Sequence, residues 1–364
     1  MAVLILALSA ACLLSPDNDF SESERRCLSG FPEFSAETLL NGKFMKEFED
    51  YSLDQFPLRD GFRRIIAIAR YDFFRLRDNN GIYIENGSAA EIIYPLNENS
   101  VLNAAEKFGE IHDSLLTGSN KIIVSIVPDK GYYLSKANGY PSMDYGQLEK
   151  LLTENMPYAR YCSIMDTLSI NDYYRTDTHW RQESILPAAE KLASCLGFSL
   201  SGQYTVSGQY DTSEQYTVNE TDADFYGVYH GQSALPLPPD GIRYITDDSI
   251  SAAVVYNAET GSTGGVYDFE KLHGRDPYEF FLSGAAAVLT IENPAAGNDR
   301  ELVIFRDSFG SALTPWFIRS CSKITLVDTR YIAPSLLGDY VDFTDCDVLF
   351  LYSTLVLNES QVLK

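Results

Sequence analysis

Helix-like spacing of apolar residues alternates with short apolar runs along most of this 364-residue chain. Ser100 to Leu116 (SVLNAAEKFGEIHDSLL) has helical spacing, and Lys121 to Lys130 (KIIVSIVPDK) reads as a buried strand ending at Pro128. Asp144 to Met156 predicts another helix and Arg160 to Leu168 another strand. QESILPAAEKLASCLG is a helix closed by Gly197, with Pro187 marking its start or a kink. Further on, GIRYIT and AAVVYNA predict strands. Glu301 to Gly310 (ELVIFRDSFG) is a strand running into a turn, SALTPWFIRSC a helix, and KITLVDTRYI and CDVLFLYST two closing strands. Continuous apolar strands alternating with helices predict an α/β domain with a parallel sheet flanked by helices, because each strand must bury both of its sides. Open sheets of that kind carry their sites beyond the carboxyl ends of the strands.

Two stretches depart from this rhythm. MAVLILALSAACLLS is apolar over a length suited to a signal-peptide core rather than a membrane span, and no Lys or Arg precedes it. It predicts a signal peptide or a truncated signal anchor, with a buried N-terminal helix as the alternative. Residues 16 to 26, PDNDFSESERR, read as a polar linker, so residues 1–27 are set apart from a domain spanning 28–364. Cys12 follows LSAA, a poor match to a lipoprotein cleavage site. From about residue 199 to 240 the chain repeats Gln-Tyr-Thr-Val and holds few large aliphatics, which predicts a β-rich surface insertion.

Composition narrows the function classes. Formal net charge is -23, and nucleic-acid binding draws its affinity from Lys and Arg on phosphates, so no nucleic-acid partner is expected. Aromatic content of 13% argues against disorder over most of the length. None of the cysteines stands in a CxxC pair and the histidines are widely separated, so neither a metal nor a cofactor is expected. Cys162, Cys195, Cys321 and Cys346 lie in apolar runs and read as small core residues rather than bridges.

Two short motifs hold candidate chemistry. In YYRTDTHW, Asp177 stands two residues before His179. In VIFRDSFGSA, Asp307-Ser308 falls where a strand should end, and Gly310 permits a tight turn into a helix. A serine there presents its hydroxyl at the site edge of the sheet, close to helix-start N–H groups that can stabilise an oxyanion. This is the logic of the nucleophile elbow, although the sequence is not GxSxG. Serine is a weak nucleophile that needs a base, and the base needs an orienting acid. His179 and Asp177 can supply both, with Trp180 walling or shielding the site. Taken singly, Asp177 and Ser308 read equally well as caps of the helices that follow them.

The ordered set is more specific than any one motif. TDTHW together with VIFRDSFGSALTPWF resembles the DHHW family and its relatives, the SGNH-like alginate O-acetyltransferases of bacterial cell surfaces. NNGIYIENG, IVPDKGYYL, DFYGVYH, DPYEFFLSG, KITLVDTRY and DVLFLYS resemble further family segments in the right order, so the resemblance spans roughly Asp50 to Ser353. It implies an SGNH-hydrolase-like, flavodoxin-like sheet and an extracytoplasmic location, with the N-terminus cleaved or associated with a membrane. It also implies serine-dependent acyl chemistry on a polysaccharide, with an acetyl donor or acyl carrier protein as partner. Ser308 would be the nucleophile, His179 the base and Asp177 its partner. The family's Gly-Gly-Asn block reads Ser283-Gly284-Ala285 here, so the asparagine that could serve an oxyanion is missing. That departure keeps open an impaired scaffold that binds carbohydrate or assists polysaccharide assembly.

Ser283, Gly284 and Tyr278 are the remaining candidates for the oxyanion and substrate side. Arg306 is a candidate for holding an anionic acyl or sugar group, with a strand-end salt bridge as the alternative. Lys130 and Asp129, after Pro128, are further strand-end candidates, as is Asp166. His112, His230 and His273 read as surface or loop residues.

Overall fold

The computed structural model describes residues 11–12, 14–21, 23–200, 205–207, 209–211 and 216–364. Most of the apolar N-terminal stretch and part of the Gln-Tyr-Thr-Val repeat therefore lie outside the described residues. The centre is one eight-stranded sheet. Its strands in chain order are β1 (Ile122–Val127), β2 (Arg160–Tyr161), β3 (Val254–Asn257), β4 (Ser262–Gly264), β5 (Val288–Glu292), β6 (Glu301–Arg306), β7 (Lys323–Val327) and β8 (Asp347–Ser353). Across the sheet they run β4-β3-β5-β7-β6-β8-β1-β2. The five from β7 to β2 are parallel, whereas β5, β3 and β4 join antiparallel at one side. The fold is thus α/β with helices flanking a central sheet, but the sheet is mixed rather than wholly parallel.

Apart from the short edge strand β2, the parallel strands are buried on both faces, and their residues alternate between two cores. Ile122, Val124 and Ile126 of β1 join Val303, Phe305, Val348 and Phe350 on one face. There they meet Val101, Ala104, Phe108 and Ile111 of α1 (Glu98–Leu115). On the other face Ile123, Val127, Leu302 and Ile304 pack with Ala189, Leu192 and Ala193. Helix α2 is Lys130–Asn138, α3 is Tyr145–Asn155 and α4, which carries those last residues, is Leu186–Leu196. Polar caps set the starts. Asn97, Asp129 and Asp144 accept from Ser100, Gly131 and Gln147 N–H groups. Pro187 lies in the first turn of α4, where its missing N–H costs nothing, and Gly197 closes the helix at φ 87.

Three expectations are corrected. The strand read over Arg160 to Leu168 is only Arg160–Tyr161, because beyond it the chain leaves the sheet edge for a short 3₁₀ turn at Met165–Thr167. Cys162 and Cys195 are not separate core residues but a disulfide that joins the end of β2 to α4. Composition cannot show this, since both are buried in apolar surroundings either way. Residues 20–27 are not a free linker: Phe20–Ser21 pairs with Arg26–Cys27, and this hairpin docks on the domain. From the second Gln-Tyr-Thr-Val copy onward, Thr217–Phe225 pairs antiparallel with Asp240–Thr246, so the β-rich insertion ends in a long ribbon. No helix among the described residues is long and apolar enough to cross a membrane.

Candidate active site

The site lies at the carboxyl end of β6, near the centre of the sheet. Asp307 secures the turn: its Oδ1 accepts the Phe309 N–H at 3.1 Å and its Oδ2 accepts the Ser353 N–H of neighbouring β8 at 2.7 Å. Ser308 then stands at the start of α5 (Phe309–Leu313) with φ -61 and ψ -23, an unstrained helical conformation rather than a strained elbow. Helix α5 is short because Pro315 follows it, and a 3₁₀ turn over Thr314–Ser320 takes its place.

The base half comes from the loop between β2 and α4. Tyr173 bridges to Trp180, and the Tyr174 N–H donates to His179 O at 3.0 Å, so the loop is a tight antiparallel excursion with Thr176–Thr178 at its tip. Asp177 Oδ1 accepts both the His179 N–H (3.0 Å) and the ring Nδ1–H (2.6 Å). The ring's other nitrogen, Nε2, accepts the Ser308 hydroxyl at 2.7 Å. Asp177 is 1% exposed. Burial alone would push its carboxyl up, but His179 and Arg25 outweigh this and hold it well below the usual carboxylate range. The structure thus brings together serine, imidazole and carboxylate within hydrogen-bond reach, the arrangement in which an imidazole can take a serine proton.

Three neighbouring elements hold this loop. The Val228 N–H donates to Asp177 Oδ2 at 2.8 Å, delivered by Gly227 in the connection between the two strands of the insertion ribbon. A Cβ at Gly227 would lie 2.3 Å from Asp177 Cβ, so only glycine lets the two backbones approach this closely. From below, Lys130 Nζ donates to the carbonyls of Tyr174 (2.8 Å), Arg175 (3.1 Å) and Asp177 (3.2 Å). Three carbonyls suit an ammonium, yet Lys130 is 1% exposed, and burial pushes its pKa down to about 7 against the pull of Asp177 and Asp240. Trp180, fully buried, donates through Nε1 to Phe309 O at 3.1 Å. Gln182 Nε2 donates to Ala312 O at 2.9 Å. The base loop is therefore fastened to the nucleophile's own helix. Trp180 is a structural clamp rather than an exposed wall.

The other candidates separate. Tyr278 lies against the base and nucleophile: its ring stacks on His179 at 3.8 Å, and its hydroxyl donates to Ser308 O at 3.3 Å. Ser283 and Gly284 make no hydrogen bond to the triad among the described residues. Ser283 Oγ bonds to Asp268 at 2.9 Å, Gly284 N–H to Phe281 O, and Gly284 packs over Glu279. Successive positive φ values at Leu282, Ser283 and Gly284 turn this block tightly on itself. Because Asp307 engages the Phe309 N–H, the Ser308 N–H is the remaining candidate main-chain oxyanion donor at the turn. Arg306 cannot receive a substrate anion from solvent. It is 1% exposed beneath Gly310, and its Nη1 lies 3.8 Å from Asp328.

Asp129 is a buried helix cap that also binds Tyr145 and Thr354 hydroxyls, and Asp166 is exposed. His112 pairs with neighbouring Asp113 and stacks on Tyr158, and His273 is exposed. His230 stands beside Tyr226, and burial lowers its pKa. Among the described residues, no group of three His, Cys, Asp or Glu side chains could hold a metal.

No protein-family model and no curated protein matches this chain by sequence. Solved structures do match it in shape. A DHHW family protein from Eubacterium siraeum superposes with a TM-score of 0.61 at 19% identity, covering 78% of this chain and 94% of that one. The chain has the fold of the DHHW proteins. Bacillus cereus PatB1, solved with a sulfonyl adduct, superposes at 0.57 with 16% identity over 76% of this chain and 95% of PatB1. The O-acetyltransferase domain of Pseudomonas putida AlgJ aligns at 0.46 with 13% identity over 76% and 92% of the two chains. The residues that sequence reasoning missed are those that hold the Asp177–His179 loop from elsewhere: Arg25 in the supposed linker, Gly227 and Val228 within the insertion. DFYGVYH carried the only prior signal for the last two.

Proposed function

We propose that this protein is an extracytoplasmic, serine-dependent O-acyltransferase or acetylesterase that acts on a polysaccharide. The observation that carries the reading is the relay from Ser308 through His179 to Asp177, at 2.7 Å and 2.6 Å, beyond the end of a central parallel strand. Ser308 Oγ attacks the carbonyl carbon of an acetyl donor while Nε2 takes the hydroxyl proton. The tetrahedral intermediate collapses, the donor's leaving group departs with that proton, and Ser308 keeps the acetyl group. A sugar hydroxyl, or water, then gives its proton to Nε2 and attacks the ester carbon; the bond from that carbon to Ser308 Oγ breaks as Nε2 returns the proton to Oγ, which frees the acetylated product or acetate. Asp177 stabilises the imidazolium in both halves. The donor is an acetyl ester, thioester or acyl carrier protein. The disulfide and the leader-like N-terminus support an oxidising location outside the cytoplasm.

Phenylmethanesulfonyl fluoride tests the nucleophile, following the sulfonyl adduct of PatB1. Wild type should gain one sulfonyl group on Ser308 by intact and peptide mass, and it should release acetate from a chromogenic acetyl ester. Ser308→Ala should do neither. Equal acetate release by the two proteins removes the assignment. A second reading, a carbohydrate-binding scaffold without turnover, is favoured by one observation: Ser283 and Gly284 are bonded away from Ser308. Glycan binding that survives Ser308→Ala, with no acetyl transfer, selects it.

A further inference from the structure

The hairpin of residues 20–27 places one cation beside the base half of the site. Arg25 sits at its turn in the left-handed region, φ 53, and its side chain is 14% exposed. Nη1 lies 2.8 Å from Asp276 Oδ1 and 3.9 Å from Asp177 Oδ2. Nη2 donates to Tyr226 O at 2.7 Å, and the guanidinium lies over the Phe225 ring. These contacts are seated from several sides. Glu24 pairs with Arg59 at 2.5 Å and Arg63 at 3.1 Å, and Arg26 pairs with Asp54. Ser23 O presses on Gly231, where a Cβ would lie 1.4 Å away, so no side chain can stand at 231 while the hairpin stays in place.

Asp276 introduces the difficulty that Arg25 resolves. It precedes the 3₁₀ turn Pro277–Phe280, which supplies Tyr278 to the imidazole face. Two carboxylates, Asp177 and Asp276, therefore stand near one imidazole in a largely buried site. The groups facing His179 are Asp177 on its own loop, Ser308 and Phe309 on the nucleophile turn, and Tyr278 stacked on the ring. Asp276 and Arg25 lie just beyond. Burial pushes the Asp276 carboxyl up, Arg25 pulls it down, and Asp177 pushes it up again. Like charges in a low-dielectric site retain a proton unless a cation balances them.

We propose that Arg25 is a positioning residue of the serine site, reaching in from a strap outside the α/β core to balance Asp177 and Asp276 so that His179 Nε2 can accept the Ser308 proton. This rests on the serine reading above. Without the guanidinium, a proton stays on the imidazole to higher pH, and the serine loses its base under conditions where wild type reacts. The strap thereby ties the state of the N-terminal segment to reactivity at Ser308.

The test is the rate of Ser308 sulfonylation by phenylmethanesulfonyl fluoride against pH, read by intact mass on the full chain. Arg25→Gln should move the rising limb about one unit to higher pH, a loss of about tenfold in rate on that limb. Arg25→Lys should keep most of the wild-type profile, and Asp276→Asn in the Arg25→Gln background should bring the limb back. Gly231→Ala, which displaces the strap but leaves every charge present, should shift the limb in the same direction and carries the test if Arg25→Gln does not fold. An Arg25→Gln profile that superimposes on wild type overturns the inference, as does a uniform fall in rate with the limb unmoved. A wild type whose Ser308 is unreactive at every pH sinks the serine reading and this inference together; a reactive wild type with an unmoved variant sinks the inference alone.

Discussion

Lys130→Met keeps the length of the side chain and deletes its charge and all three donors. Two opposing contributions follow from the contacts. Arg175 O retains the Ala89 N–H at 2.8 Å, but no other donor reaches Tyr174 O or Asp177 O among the described residues. A buried carbonyl stripped of its partner costs about 1–3 kcal/mol, so the pair costs roughly 2–6 kcal/mol. Against this, methionine carries no buried charge. The Lys130 pKa of about 7 lies well below its ordinary 10.5. By linkage the unfolded chain then binds more protons than the folded one between those values, so this lysine's relative stability is fully present above 10.5 and lost as pH falls to about 7. The penalty that methionine relieves at pH 7 and below is on the order of 5 kcal/mol. The two contributions nearly cancel at pH 6, and the carbonyl loss dominates at pH 10. Urea unfolding of both proteins at pH 6, 8 and 10 should therefore show little difference at pH 6 and a growing deficit for Lys130→Met with rising pH. Sulfonylation of Ser308 should slow by about tenfold to a hundredfold even at pH 6, because the loop carrying Asp177 has lost its floor. A stability deficit that shrinks as pH rises, or an unaltered reaction rate, would refute this account of Lys130.

Further outcomes follow from the same contacts. Cys162 and Cys195 are 33 residues apart and enclose the whole Asp177–His179 loop; chain entropy makes that closure worth about 3.7 kcal/mol, to be read as a lower urea midpoint for the Cys162→Ser, Cys195→Ser double variant. Asp177→Asn preserves shape but removes the charge that orients the imidazole, and acetyl-ester turnover should drop roughly 10⁴-fold. Gly227→Ala forces Asp177 and the Val228 N–H apart; turnover should fall by about a hundredfold. Its melting temperature should change little if strain is released by loop movement, and undiminished turnover would show that the close approach is dispensable.

The apolar pattern alone located β1, β6, β7 and β8 to within a few residues, together with α1, α3 and α4, because helix and strand periods are local properties of the chain. Those strand ends also singled out Ser308, since a parallel sheet offers its chemistry where the strands stop. The 3₁₀ turn after α5 and the short β2 were less visible. Both depend on what neighbouring elements leave unpaired rather than on local propensity.

Pairing residues far apart in the chain belongs to tertiary structure. Asp177 and His179 could have capped a helix; their role in the site depends on Ser308, 129 residues after the histidine, standing 2.7 Å from its ring. The same holds for Lys130 beneath the loop, Val228 at its side and Arg25 above it. Each is an ordinary polar residue in its own segment, and each acquires its meaning from a carbonyl or carboxylate contributed elsewhere. Ser283 and Gly284 illustrate the reverse case, where a segment lies in the right order along the chain but a run of positive φ values turns it toward Asp268 and Glu279. Composition and periodicity record which surfaces a segment must bury. Only the packed sheet decides which distant atoms those surfaces bring within a hydrogen bond of one another.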